Sequence, residues 1–578
     1  VKETIKKSIK KSSELIPAKG HPEVGLKVFA ILDEILKYRD SQGLPEKWNR
    51  YYRLRRTDHW VNKNVKVPLL SANLLSTHHS KTVNTLTDNN PTFDVTIVGK
   101  IDNEEQLTTV LRQCEHWWND QEQQHVLETS VSEGEMNGTT VEKVSFNVEL
   151  EYPAGEVETE TVSIFNFGWY PVKAKKIQKC EAVLHFWPMP VREARRRWKD
   201  VADKVVADDE YLKAINDQRG EITGAKKSDS VMTRIANVVK SLISSKNVEA
   251  GSTEETVVCE AWVKDYSKDK DGKSLYTGNI RRIQCGCCGQ VVFADDDNPS
   301  INPDLKDKAF NCYLFDKFPF SVTPSVTDPT SMFGIPDFEQ LEGLQTEVNK
   351  TISQITLVKD KASTPKLLNP KTSGVSNDEL GNYPGIVNPT NALEANAIQY
   401  LKPIQMDQNM MACLDIFKDM FFLVAGSFDL ESAQQPGKSV IAYKAIAALL
   451  ENAARILRGK TRNYSKMIRE RGRMYLSHAQ NWYTEERWIS FSDNSGSRQS
   501  MPVTGMNLLL PVKLTVVNGS TMPRSQIQKR EESIELANQG HIDSEELLKS
   551  LDWPDYKNVV RRMQAGPLGD LFSKLLGV

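Results

Sequence analysis

Long apolar runs are missing from this 578-residue chain. Its longest, such as residues 420–425 and 508–510, are the size of core segments. A membrane-crossing helix needs roughly twenty such residues, so no membrane partner is expected. The start, VKETIKKSIKKSSELIPAKG, has lysines but no apolar centre of a secretory signal. It reads as an amphipathic surface helix with Ile5, Ile9 and Leu15 turned inward. The first residue is Val, which leaves a processed and a trimmed start both open. Cysteine is scarce. Eight in so long a chain do not make a disulfide framework, and they point to synthesis in a reducing compartment. Neither sign of charge is in excess, with 74 Lys and Arg against 76 Asp and Glu. That balance excludes a globally basic protein coating nucleic acid, yet it suits one past which DNA must slide without being gripped. No period of twenty to fifty residues marks a repeat array.

Catalytic signatures are also sparse. There is no Gly-x-Ser-x-Gly elbow and no dinucleotide-binding fingerprint. Gly437-Lys438-Ser439 resembles the end of a phosphate-binding loop. That loop needs a Gly five residues before the Gly-Lys pair, so that backbone N–H groups can curl around phosphates, and position 432 is Ser. Cys285 and Cys288 form a Cys-x-x-Cys pair that Cys259 and Cys312 would have to complete for a four-thiolate zinc. With no second knuckle and no His nearby, unligated thiols in a β turn are the simpler reading. Asp295, Asp296 and Asp297 are neighbours on an expected solvated loop and do not converge on one ion. His78-His79 and Glu115-His116 lack the helical His spacing of a zinc hydrolase. The residues therefore name no catalytic group, no metal and no cofactor.

What is present is a mixture of helical and period-two patterns, an α+β chain. Residues 22–41 read as a helix on Val24, Val28, Leu32, Ile35 and Leu36. The stretch KWNRYYRLRRTDHWVNKNVKVPLL mixes basic and aromatic residues. It suits either base stacking or a surface where Arg and Trp cover apolar area, the simpler reading. Residues 103–130 read as one polar helix. Residues 139–187 alternate as strands, with turns at 153–155 and around Tyr170-Pro171, and helical pattern returns at PVREARRRWKDVADKVV and at residues 228–245. A separate small β unit is expected between 255 and 322. Residues 337–359 then form a strong helix. Asp337 and Glu339 lie at its positive end, and Phe338, Leu341, Leu344, Val348, Ile352, Ile355 and Val358 form one stripe of the kind that meets a partner helix. Residues 363–391 read as loop. A helix ending in MFFLVAG, a polar loop and a long Ala-rich helix follow, then a β patch at WISFS and LLLPVKLTVVNG. Gly540 stops one helix, and Asp543 and Glu546 have capping-box spacing for another.

The order of these parts resembles the portal (head–tail connector) family of tailed bacteriophages. HWVNKNVKVPLLSANLLSTHHSKTVNTLTDNNPTFDV and FNFGWYPVKAKKIQKCEAVLHFWPMPVREARRRW look like wing segments. MFGIPDFEQLEGLQTEVNKTISQI is similar to a stem helix, and GSFDLESAQQPGKSVIAYKAI to the tunnel loop with the helix after it. QIQKREESIELANQGHIDSEELLKSLDWPDY resembles the helical crown. The Cys-rich turn has no counterpart in that pattern.

The resemblance implies a portal-type subunit with an α/β wing, a helical stem, a small β-rich clip and a C-terminal helical crown. On this sequence it divides the chain into wing (1–225), stem helix (226–247), clip (248–325), stem helix (326–362), central wing (363–425), tunnel loop (426–438), wing helix and strands (439–522) and crown (523–578). It implies a ring of twelve copies at one capsid vertex of the virion, made in the host cytoplasm, with no enzyme activity. Its partners would be the terminase large subunit, head–tail adaptor and tail proteins, scaffold and major capsid protein, and double-stranded DNA passing through non-specifically. Gln434, Gln435 and Lys438 would face that DNA, and Leu344, Val348 and Ile352 would pack between subunits. A packaging ATPase or nuclease, or another virion structural protein, is the alternative reading.

Overall fold

The computed structural model describes residues 15–60, 68–97, 104–208, 212, 254–305, 312–363, 366–378, 380, 385–388, 398–400, 408–426, 443–492, 498–508, 512–516, 533–551 and 559. Helix and sheet are mixed throughout, as the patterns require. The expected helix at 22–41 is α1 (Val24–Ser41). Its apolar side, Val28, Leu32, Ile35 and Leu36, lies on one face of a sheet through Leu184, Phe186, Val257, Cys259, Ala261 and Ile283. Each such burial contributes roughly 1.5–3 kcal/mol. Two close approaches fix the helix there. A Cβ on Gly168 would stand 2.7 Å from the Ile35 Cγ2, and one on Gly25 would collide with the Gly289 carbonyl.

That sheet joins β4 (Phe167–Tyr170), β5 (Ala182–Pro190), β6 (Glu255–Lys264), β7 (Ile280–Gly286) and β8 (Val291–Asp297), neighbours in that order. The small β unit expected to stand apart at 255–322 is therefore not separate. β6 runs antiparallel along the whole of β5, from Ala182 opposite Val263 to Pro190 opposite Glu255. Sequence distance hid the pairing, because the excursion from 191 to 254 separates two strands that are spatial neighbours. The excursion closes on itself. Val191 donates its N–H to the Glu254 carbonyl at 2.8 Å, and Asp208 to the Glu255 carbonyl at 2.9 Å. The expected helix at 228–245 lies outside the described residues.

A second sheet pairs β2 (Thr139–Asn147) with β3 (Glu156–Val162) on one side and β9 (Phe320–Pro324) on the other. The helix expected at 103–130 is two, α2 (Glu104–Asp120) and α3 (Gln123–Asn137). Glu122 takes a left-handed φ of 47° between them, a conformation that ends a helix. These helices pack on α4 (Tyr443–Trp482), a helix of 40 residues. Trp117 stacks on Tyr475 with centroids 4.2 Å apart. Arg471 of α4 is fully buried with Glu142 of β2 and donates to the Gln123 carbonyl at 3.1 Å. The chain then forms a hairpin of β10 (Arg487–Ser492) and β11 (Arg498–Val503), and β12 (Val512–Val516) pairs with β1 (Phe93–Ile97). Near the end, the Asp543 carboxylate accepts the Glu546 N–H at 2.8 Å, the expected helix cap.

Candidate functional site

Helix α5 (Asp337–Ser363) begins where the sequence places it, with Asp337 and Glu339 in the first turn. It runs against α6 (Gln408–Ala425). Phe338, Leu341 and Leu344, near the start of α5, share a cluster with Phe421, Phe422 and Ala425, near the end of α6. The two helices are therefore an antiparallel hairpin. The chain between them carries a small sheet, in which Leu367 and Leu368 pair with Ile386 and Val387 on one side and with Gln399 and Tyr400 on the other.

The root of this hairpin is held by a buried ionic knot. The Lys460 ammonium, on α4, bonds to Glu135 and to Asp337 Oδ2, the latter at 2.6 Å. His78 Nε2 lies 3.1 Å from the same Asp337 oxygen. Tyr464 and Ser325 donate to Glu135 Oε1 at 2.9 and 2.6 Å. Burial alone would raise the Asp337 pKa. The His78 bond and the Lys460 charge outweigh it and hold the carboxyl at about 2. Burial likewise pushes the Lys460 amine down, but its two carboxylates push it up by more. Asp337 is thus more than a favourable charge at a helix start; it ties α5 to α4. Nothing in local spacing could reveal this, since Lys460 is 325 residues from Glu135 and 123 from Asp337.

The three residues expected to pack between subunits divide. Val348 is fully buried inside the chain, while Leu344 and Ile352 are half-buried. Around Val348 the α5 surface is taken up by the chain's own residues 70–75. The Gln345 and Asn349 side chains accept the N–H groups of Leu75 and Ala72 at 3.0 and 2.9 Å. The open apolar face belongs to α6. Ile416, Met420, Leu423 and Val424 are 54%, 49%, 68% and 47% exposed. They stand at helical spacing on one side. Gln434, Gln435 and Lys438 lie outside the described residues, between α6 and α4.

The cysteines do not gather. Cys285 sits opposite Cys259 across β6 and β7, and its thiol points to the Cys259 carbonyl at 3.7 Å. Cys288 donates to Asp208 at 3.4 Å, and Cys312 belongs to a different cluster with Ile301. Among the described residues no His, Cys, Asp and Glu group has a metal-binding arrangement. The turn itself has a structural reason. Cys287, Cys288 and Gly289 all have positive φ, and the tight loop lets Gly289 meet Gly25. Asp295, Asp296 and Asp297 are not on a solvated loop. They lie on strand β8, where Arg281 bonds Asp295 at 2.7 Å, Arg282 bonds Asp296 at 2.6 Å, and Thr277 donates to Asp297. The basic and aromatic stretch after residue 46 follows its simpler reading. Trp48, Tyr51 and Leu54 are buried, and Arg50 and Arg53 pair with Glu342 and Asp58.

Most of the hairpin and the whole of the long helix α4 fall within one recognisable region. Residues 339–570 match the family model of the Phage P22-like portal protein. The match covers less than half of the chain, which is similar to this family over those residues. It begins inside α5 and spans the hairpin, the loop after it and α4. No curated protein matches the chain. The portal family is structural rather than enzymatic. Among the described residues no helix is long and apolar enough to cross a membrane.

Proposed function

We propose that this chain is the subunit of a portal ring at one capsid vertex, the channel for packaging and ejecting viral DNA. The observation that carries the reading is the α5–α6 hairpin with its uncovered apolar face. Four large side chains of α6 stay in water in the single chain. A contiguous patch of this kind marks an interaction surface, and in a closed ring each copy offers it to the next. The fully buried Val348 leaves α6, together with Leu344 and Ile352, as the packing surface between copies.

The parts are assigned accordingly. The antiparallel helices α5 and α6, with the small β element between them, are assigned as the stem, and residues 364–407 as the clip in place of 248–325. Residues 426–438 remain the tunnel loop, with Gln434, Gln435 and Lys438 towards DNA, and 523–578 the crown. The clip would meet the terminase motor during packaging, and adaptor and tail proteins afterwards. Scaffold and major capsid protein would surround the ring. Contact with passing DNA would be loose and electrostatic, in keeping with the balanced charge.

Negative-stain microscopy of the purified protein, with light scattering for mass, tests the reading. Rings with a central hole and about a dozen copies are expected. A monomer that stays monomeric in the presence of scaffold and capsid protein would overturn it.

A further inference from the structure

Helix α7 (Val191–Arg197), in the excursion after β5, is two-faced. Val191, Ala194 and Trp198 recur at a spacing of three and four and pack inward, where Trp198 stacks on Phe293 with centroids 4.3 Å apart. Arg192, Arg195 and Arg196 lie on the outer side of the helix, Lys199 opens the 3-10 turn that follows it, and all four are exposed. Arg195 is pinned, donating from Nη2 to the Val205 carbonyl at 2.8 Å, which folds residues 199–204 back onto the helix. Arg192, Arg196 and Lys199 have no carboxylate partner among the described residues, and Arg197 lies over the Trp198 ring. The acids beside this face are Glu193 and Glu254, which line the same groove as Arg192, Arg195 and Arg196. Asp200 and Asp203 follow in the next turn. With Arg197 and Lys204, six cations stand in this segment against those four acids.

We propose that this stripe binds the phosphate backbone of duplex DNA, at a site separate from the loop at 426–438. Two arguments select the partner. Guanidinium forks match phosphate oxygens two at a time. A protein partner would need a desolvated apolar centre, and no large hydrophobic side chain between 190 and 204 is exposed. The contact would hold DNA by charge alone and without sequence preference. It deepens the portal reading but does not depend on ring formation.

The test is binding of a fluorescein-labelled 30-base-pair duplex to the full-length protein over a series of salt concentrations. Replacing Arg192, Arg196 and Lys199 by Ala keeps a good helix former at each position. Loss of three phosphate contacts should flatten the slope of log K against log salt by about 2 to 3. A charge-matched control, Lys173, Lys176 and Lys179 to Ala on an exposed loop, should leave the slope as in the parent protein. An unchanged slope in the α7 variant, or an equal change in the control, would overturn the proposal. So would displacement of the duplex by poly-glutamate at equal charge, which would mark an acidic protein partner. Light scattering on the same samples reads assembly. A parent protein that forms no ring even with scaffold and capsid protein present, but keeps the difference in slope, sustains this inference and removes only the portal reading.

Discussion

Lys460 and Asp337 meet at 2.6 Å, the ammonium buried and the carboxylate partly so, and this one bond joins the first residue of α5 to the middle of the 40-residue helix α4. Because the same ammonium also bonds Glu135, its removal leaves a buried carboxylate at Glu135 and a partly buried one at Asp337 without that cation. Lys460→Met is expected to destabilise the chain by roughly 3–5 kcal/mol, the loss typical of a broken buried pair. Adding Glu135→Gln should recover part of it. Urea unfolding of the single and double variants decides; a single variant within about 1 kcal/mol of the parent would mean the knot contributes little.

The exposed face of α6 leads to a prediction about assembly. Ile416→Asp combined with Leu423→Asp should lower the yield of rings and leave the circular dichroism of the subunit intact, since both side chains are already in solvent. Val348→Asp should instead unfold the region, because that side chain is inside the chain. Rings at normal yield from the α6 variant would place the interface elsewhere.

Stability should fall towards acid pH in two stages. Burial pushes the His478 imidazole down to about 4, more than its bond to the Val144 carbonyl raises it, and His79 is lowered to about 4 as well. An unfolded imidazole titrates near 6.5. At these two histidines the unfolded chain takes up protons the folded chain refuses, so they lower stability between about pH 6.5 and 4; burial holds the Glu133 carboxyl up at about 7, which works against them over the same range. The Asp337 and Glu260 carboxyls are held at about 2. Their contribution, complete above the unfolded value near 4, is lost as pH falls towards 2. His478→Gln should flatten the first stage by up to about 3 kcal/mol. Denaturation midpoints at several pH values between 7.5 and 3.5 measure it, and an unaltered slope would exclude His478.

Replacing residues 429–436 by a short Gly linker should leave ring assembly intact and impair DNA packaging or its retention. Particles that fill and hold their genome normally would remove the loop from the mechanism.

Two glycines should respond oppositely to Ala. A Cβ at Gly25 collides with the Gly289 backbone, so Gly25→Ala is expected to lose about 1–3 kcal/mol as overpacking does. Gly343, inside α5, has nothing within 4 Å of the added Cβ. Gly343→Ala should be neutral or gain up to about 1 kcal/mol. Thermal unfolding compares them, and equal shifts would show that the contact with Gly289 yields.

Local periodicity carried much of this fold. The α1 stripe, the start of α5 at Asp337, the Asp543 cap and the strands between 139 and 187 all rest on neighbours within a few residues, and all are where the patterns put them. What failed depended on distant partners. β5 and β6 are adjacent although 64 residues lie between them, so in sequence β6 reads as the start of a separate unit. Asp295 to Asp297 read as solvated because Arg281 and Arg282 are across a strand pair rather than beside them. The α5 stripe correctly announced packing, but periodicity does not say against what; residues 70–75 and α6 supplied the answer. For the candidate site, the sequence order of helix, loop and Ala-rich helix was readable. The Lys460 knot was not, since its members come from distant segments.

The excursion after β5 leaves and rejoins the sheet at points already within a hydrogen bond of each other, at Asp208 and Glu255. Its length therefore has little bearing on whether β5 and β6 find their register, as closing a loop grows harder by only about 0.6 kcal/mol for each doubling.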